Sequence, residues 1–134
     1  MKERTLAMIK PDGVARGLIG EVIKRIEAEH LKIVKMKMLH LTGDTAQRFY
    51  AVHMYEPFFH DLIQFTCSGP VVVMVLEGLN AIGRWRNLMG ATNSKEARGG
   101  TIRGDFGDEK VIRHNIVHGS DSVQSALDEI NILF

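Results

Sequence analysis

Ser68-Gly69-Pro70-Val71-Val72-Val73-Met74-Val75-Leu76 is the stretch on which the fold turns. Gly-Pro punctuation followed by six consecutive apolar residues, four of them valine, reads as a strand with a sharp beginning. Successive side chains of a strand leave on opposite faces, so an unbroken apolar run predicts cover on both sides. A strand covered on both sides is central, and the remaining elements have to pack around it. Six residues are far too few to cross a bilayer, and no longer apolar run exists, so no membrane partner is expected.

Towards the N-terminus the pattern changes period twice. From Lys32 to Leu41, Val34, Met36 and Met38 share one face while Lys35 and Lys37 take the other, as in a half-covered strand. Before it, Leu18, Ile19, Val22, Ile23 and Ile26 recur at helical spacing. Thr5 to Ile9 is an apolar strand that ends at Lys10 in the turn Pro11-Asp12-Gly13. After Leu41, Thr42 and Asp44 are caps for a helix carrying Ala46, Phe49, Tyr50 and His53. Pro57 suits the first position of a short helix through Phe58, Leu62 and Phe65.

Towards the C-terminus, Leu79, Ile82, Trp85 and Met89 mark one helical stripe, and Gly90 to Gly107 reads as a long functional loop. A last short strand is expected within Val111 to Val117. Asp121 then caps a helix with Val123, Ala126, Leu127 and Ile130 inward, and Gln124 takes the capping-box position. The order β-α-β-α-α-β-α-β-α predicts an α+β sandwich. Its simplest form is a ferredoxin-like βαββαβ core, a four-stranded antiparallel sheet with helices packed on it. No repeat or Pro/Ser-rich linker interrupts residues 1–134, which read as one domain.

Composition narrows the function. A chain of 134 residues, 45% hydrophobic and 25% charged, is an ordinary soluble globular protein. A net charge of +1 argues against a strongly basic nucleic-acid binder. Cys67 is alone, which excludes an internal disulfide. With no signal segment after Met1, the expected location is cytoplasmic.

Candidate chemistry gathers at Asn115-Ile116-Val117-His118-Gly119-Ser120-Asp121. His118 stands at a strand or loop end before a helix start, where free N–H groups attract anions. Imidazole offers a neutral nucleophilic nitrogen near pH 7. A nucleophile beside an anion site suggests phosphoryl chemistry. In the last helix, stepping 100° per residue turns Glu129 back towards the sheet and sends Asp128 away. The same arithmetic puts Arg86 at the edge of its apolar stripe and Arg84 opposite it. Thr92 and Arg103 flank the following loop and fit the same anion. Pattern alone also accommodates Glu129 as a solvated carboxylate, Arg86 as an arginine passing its charge beyond the core, and Lys10 as a solvated strand end. Tyr50 and Phe58 read as core or rim aromatics, or Phe58 as a stacking surface for a base.

Other chemistries fit poorly. His118, Ser120 and Asp121 lie too close in sequence to form a linear relay. His114 and His118 have the spacing of helical zinc ligands, but the residues between them favour strand. Gly99-Gly100-Thr101-Ile102-Arg103-Gly104 lacks the Gly-Lys-Ser/Thr ending of a P-loop.

Six words of this sequence, in register over nearly the whole chain, resemble the nucleoside diphosphate kinase family. They are Ile9-Lys10-Pro11-Asp12-Gly13 (with Glu3-Arg4-Thr5 before it), Pro57-Phe58-Phe59, Ser68-Gly69-Pro70-Val71-Val72, Met89-Gly90-Ala91-Thr92-Asn93, Gly100-Thr101-Ile102-Arg103-Gly104-Asp105-Phe106, and Asn115 to Ser122. The resemblance implies ping-pong transfer of a terminal phosphoryl group from a nucleoside triphosphate to a nucleoside diphosphate. His118 would carry the phosphoryl group, with Glu129 and Ser120 supporting the ring and transition state. Lys10, Tyr50, Arg86, Thr92 and Arg103 would contact phosphates, bridged by Mg²⁺ held mainly through the nucleotide. Lys10 and Asn115 would hold the sugar hydroxyls. Phe58 and Leu62 would stack on the base, with Val111 or Ile112 on its other face. The resemblance also implies a homo-oligomer, a tetramer or hexamer. A catalytically silent nucleotide- or nucleic-acid-binding relative is the alternative. Departures from the family pattern are Ser94 in place of proline, Glu56 in place of a basic residue, about two extra residues between Arg103 and Asn115, and a C-terminus soon after the last helix.

Overall fold

Valine and isoleucine fit a pleated surface because their branched Cβ packs against neighbours on the same face. In the computed structural model, which describes residues 2–108 and 110–134, the valine-rich run forms strand β3, Val71–Leu79. Its first six residues are all buried. Strand β1, Lys2–Ile9, lies antiparallel to it from Lys2 opposite Leu79 to Ile9 opposite Val72. Strand β2, Lys32–Leu39, takes the other side of β3, and the short strand β4, Val117–Gly119, lies antiparallel to β1. The order β2-β3-β1-β4 is that of the expected α+β sandwich, with the predicted central strand at its centre.

Alternation along β1 and β3 divides the core into two layers. Ala7, Ile9, Val72, Met74 and Leu76 face helices α2, Ile19–Ala28, and α5, Ala81–Met89, whose Trp85 is fully buried. Leu6, Met8, Val71 and Val73 face α3, Gly43–Phe49, α4, Phe59–Thr66, and α7, Val123–Leu133. Each such aliphatic side chain contributes on the order of 1.5–3 kcal/mol by leaving water.

Several local expectations are corrected. Leu79 ends β3 and is 62% exposed, so it does not belong to the α5 stripe. Pro57 precedes α4 rather than opening it, because Phe58 is the N-cap. Thr42 does cap α3, accepting from the Thr45 N–H. The segment from Gly90 to Gly107 is not all loop. It holds a single 3₁₀ turn, Ser94–Glu96, and helix α6, Ile102–Phe106, capped by Thr101. Helix α1, Pro11–Ala15, fills the turn after β1. The last strand begins at Val117 rather than ending there. Ser122, not Asp121, caps α7 by accepting from Ser125 N–H. Val123 and Leu127 of α7 are 56% and 54% exposed, and its inward side is instead Ala126, Glu129, Ile130 and Leu133. On β2, Met36 and Met38 share a face as expected, but both are more than half exposed.

Ser94 occupies a turn that suits proline better than serine. It is the first residue of the 3₁₀ turn, where a missing N–H is harmless, and Asn93 before it is already extended. The Ser94 hydroxyl is buried without a hydrogen-bond partner among the described residues. Ser94→Pro should therefore raise Tm by a few degrees, corresponding to about 0.4–1 kcal/mol from the restricted unfolded chain. A thermal melt showing a lower Tm would mean the ring collides with Gly107, which lies against Ser94.

Candidate active site

The site begins at a strained turn. Ile116, fully buried, has φ of 73°, a left-handed conformation that β-branched residues rarely adopt. Val117 N–H donates to the Asn115 carbonyl at 2.8 Å, closing a three-residue γ-turn around it. The turn is gripped from the β1–α1 corner. Lys10 N–H donates to the Ile116 carbonyl at 2.7 Å, and Ile116 N–H donates to Asp12 Oδ2 at 3.0 Å. Gly13 completes the grip, since a Cβ there would lie 3.0 Å from the Ile116 side chain and 2.9 Å from Ile9.

The turn aims two carbonyls, those of Asn115 and Val117, and one ring. Arg103, 7% exposed, donates to Asn115 O, Val117 O and Gly90 O at 3.3, 2.8 and 3.0 Å. Burial, with the Arg86 guanidinium nearby, lowers its pKa to about 10. Lys10 is 6% exposed and donates from Nζ to Arg113 O at 2.8 Å and Asn115 Oδ1 at 3.0 Å. Burial, opposed by Asp12 and assisted by Arg103 and Arg113, lowers its pKa to about 8. Asn115 in turn donates from Nδ2 to the Thr92 carbonyl at 2.9 Å.

His118 follows on β4. Its backbone carbonyl accepts from the Trp85 indole at 3.2 Å, and Gly119 lies so close to that indole that a Cβ would stand 2.6 Å from it. The ring sits against Phe49 and Tyr50, with centroids 4.9 and 5.9 Å away. Nε2 lies 2.8 Å from Glu129 Oε1. Ser120 Oγ, fully buried, donates to that same oxygen at 3.0 Å and accepts Leu6 N–H at 3.2 Å. Ser120 thus reaches the ring through Glu129. A carboxylate accepting from Nε2–H assigns the lone pair to Nδ1, the ring nitrogen a nucleophile would use.

These groups line one cleft of about 680 Å³, ample for a small-molecule ligand. The structure brings Lys10, Tyr50, Arg86, Thr92, Arg103 and Asn115 into it beside His118 and Glu129. Arg84 points elsewhere, donating to backbone carbonyls of Leu79 and Glu29, and Asp128 accepts from Gln124 on the outer side of α7. At the cleft mouth Phe58 and Ile112 are 43% and 52% exposed, above a buried Leu62. Ile112, rather than Val111, lines the cleft. Burial raises the Tyr50 phenol well above its ordinary pKa, so it serves as a neutral O–H.

The family model for nucleoside diphosphate kinase matches residues 3–134. The chain belongs to the nucleoside diphosphate kinase family. A nucleoside diphosphate kinase of Desulfosudis oleivorans is 60% identical over 98% of this chain and 94% of its own length. One from Archaeoglobus fulgidus is 56% identical over 98% and 86%. Among solved structures, the nucleoside diphosphate kinase of Aquifex aeolicus superposes with a TM-score of 0.96 at 43% identity, covering all of this chain and 96% of that one. A halophilic nucleoside diphosphate kinase from Halobacterium salinarum, solved with CDP, gives 0.95 at 45%, covering all of this chain and 88% of that one.

The family cleft also holds residues that sequence reasoning passed over as site members. His53 lies 5.5 Å from the Phe58 ring, and Arg113 and Asp121 stand at the rim. Asp121, held by Ser125 and facing Arg86, has its carboxyl below the usual range. His53 shared its helical stripe with Tyr50 and could have been placed by that phase. Arg113 lies in a segment without periodicity and offered no such signal. Ser120→Ala should leave Leu6 N–H buried and unpaired and free Glu129 to move. A loss of about 1–3 kcal/mol in urea unfolding, with an unchanged m-value, is expected. Wild-type stability in that variant would show the hydroxyl to be dispensable.

Proposed function

We propose that this chain transfers the terminal phosphoryl group of a nucleoside triphosphate to a nucleoside diphosphate, with His118 as the transient carrier. The observation that supports this most directly is the Nε2–Glu129 bond. It leaves Nδ1 as the nucleophile in a cleft whose cations are Lys10, Arg86 and Arg103. In the first half-reaction Nδ1 attacks the γ-phosphorus, the N–P bond forms, and the bond to the β-phosphate oxygen breaks. The diphosphate departs with that electron pair. Glu129 stabilises the positive charge that develops on the ring, and Ser120 fixes Glu129. The second half-reaction reverses these steps with a new diphosphate. Lys10, Arg86 and Arg103 neutralise the phosphate oxygens and hold the reacting atoms in line, which is most of what this chemistry needs.

The nucleoside end occupies the mouth between Phe58, Leu62 and Ile112, while Lys10 and Asn115 take the sugar hydroxyls. An apolar clamp without hydrogen-bond readers accepts any base, and the CDP complex of the halobacterial relative supports one such occupant. Mg²⁺ fits this cleft as a passenger on the nucleotide. Cations outnumber acids in the lining, Glu129 is engaged with His118 and Ser120, and Asp121, held by Ser125 through Oδ1, would face a metal through water with its other oxygen. Bound there, it would neutralise charge on the phosphates. We read the chain further as one domain, cytoplasmic and self-associating. Support for association comes from the open β2 edge, where Met36 and Met38 are exposed. Among the described residues no helix is long and apolar enough to cross a membrane.

Incubation with γ-labelled ATP and magnesium should yield an acid-labile, base-stable phosphoprotein that discharges onto added diphosphates, and His118→Ala should abolish labelling. Retained labelling in that variant, or wild-type protein that binds nucleotide without becoming labelled, would sink the assignment. The second outcome would mark a silent binding relative. The Lys10 ammonium adds a pH signature. Its pKa falls from 10.5 in the unfolded chain to about 8 in the fold. The buried charge therefore costs stability, roughly 3 kcal/mol, fully below pH 8, and the cost is relieved as pH rises from about 8 towards 10.5. Function runs the other way: kcat/KM should fall as pH rises through about 8, and Lys10→Arg should move that limb upward whatever its absolute rate.

A further inference from the structure

We infer that Asp12 is a positioning residue for phosphoryl transfer: its carboxylate clamps the left-handed turn at Ile116 and balances the charge of Lys10 and Arg103. The inference rests on the function proposed above and deepens it.

Asp12 stands in the first turn of α1, where an acidic residue is usually explained by the helix N-terminus. That explanation is weak here. Helix α1 has five residues, and no side chain caps it. Asp12 Oδ2 instead accepts from the Ile116 N–H, far along the chain, at 3.0 Å. Its second oxygen, Oδ1, is buried with no hydrogen-bond partner among the described residues. A buried carboxylate oxygen left unbonded is costly unless nearby positive charge compensates it.

The compensating charges are those of the phosphate cleft. Asp12 raises the pKa of both Lys10 and Arg103, against the lowering caused by burial and by their mutual repulsion. Lys10 faces Arg103 from α6, Arg113 from the segment before β4, and the Phe65 ring of α4, 5.8 Å from its Nζ. Arg86 of α5 and Tyr50 after α3 act on Arg103. Of the acids that line the cleft, Glu129 is engaged with His118 and Ser120, and Asp121 with Ser125 and Arg86. Asp12 is thus the acid placed to offset the Lys10–Arg103 pair.

The geometric half is independent of charge. Holding Ile116 N–H keeps φ at 73°, and that turn presents Asn115 O and Val117 O to one guanidinium. It also sets Asn115 Oδ1 against Lys10 Nζ, two residues ahead of Val117 and three ahead of His118 on the backbone path.

Asp12→Asn separates the two roles, since it keeps an oxygen for Ile116 N–H and removes the charge. Lys10 is followed by NMR of [13Cε]lysine-labelled protein, its resonance assigned by its loss in Lys10→Arg. In Asp12→Asn the Lys10 midpoint should fall by at least about half a pH unit, and the deficit in kcat/KM should widen as pH rises from 6.5 to 8.5. Asp12→Ala, which also releases the turn, should lower kcat at pH 6.5 by about tenfold more than Asp12→Asn. An Asn variant with the wild-type Lys10 midpoint overturns the charge role, and an Ala variant no worse than Asn overturns the clamp. Because the NMR titration needs no turnover, a wild type that never forms phosphohistidine would refute the function while this midpoint still decides the role of Asp12.

Discussion

The grip of the β1–α1 corner on Ile116 is the constraint from which the rest of the site follows. One backbone N–H of Lys10, one carboxylate oxygen of Asp12 and the bare Cα of Gly13 hold a buried isoleucine in a conformation it would otherwise leave. Strain of this kind, on the order of 1–3 kcal/mol, survives only where surrounding structure over-determines it. Here the surrounding structure is the sheet itself. Ile9 ends the interior strand β1 and Lys10 follows it directly, so the turn is referenced to the buried middle of the sheet.

The second consequence of that constraint is electrostatic. Backbone carbonyls of Gly90, Arg113, Asn115 and Val117 are turned inward to meet Lys10 and Arg103, giving two buried cations partial negative charge but, among the described residues, no full carboxylate at hydrogen-bond distance. Such cations are incompletely neutralised, and an incoming polyanion completes what the carbonyls begin. His118, with one nitrogen fixed by Glu129, shares the same pocket. In the function proposed, affinity for phosphate and readiness of the nucleophile would therefore arise from one piece of backbone.

How far this was legible in the sequence differs by residue. The central strand announced itself because six apolar side chains in a row satisfy only a two-sided environment, and the alternation of strands and helices around it pointed to an α+β sandwich. Helical phase separated Arg86 from Arg84 and Glu129 from Asp128, because those choices depend on angles within one helix. The same phase argument misplaced Val123 and Leu127. Glu129 and Ala126 hold the inward side of α7, and apolar content alone put the stripe one step away. Helix α6 was invisible because five residues make barely more than one turn. The burial of Lys10 was illegible for a different reason. Its partners are carbonyls and an amide that reach it only through the tertiary fold, at Arg113 and Asn115.

The indole of Trp85 donates to the His118 carbonyl and is closed off by Gly119, and it is the only tryptophan in the chain. Its environment is therefore one bond from the residue that would carry the phosphoryl group, with no other indole to dilute the emission. Ultraviolet fluorescence of the unlabelled protein accordingly reports on a single address. The fold has, in effect, wired its one bright chromophore to the histidine proposed as nucleophile, so that charge appearing on that ring would be readable as light.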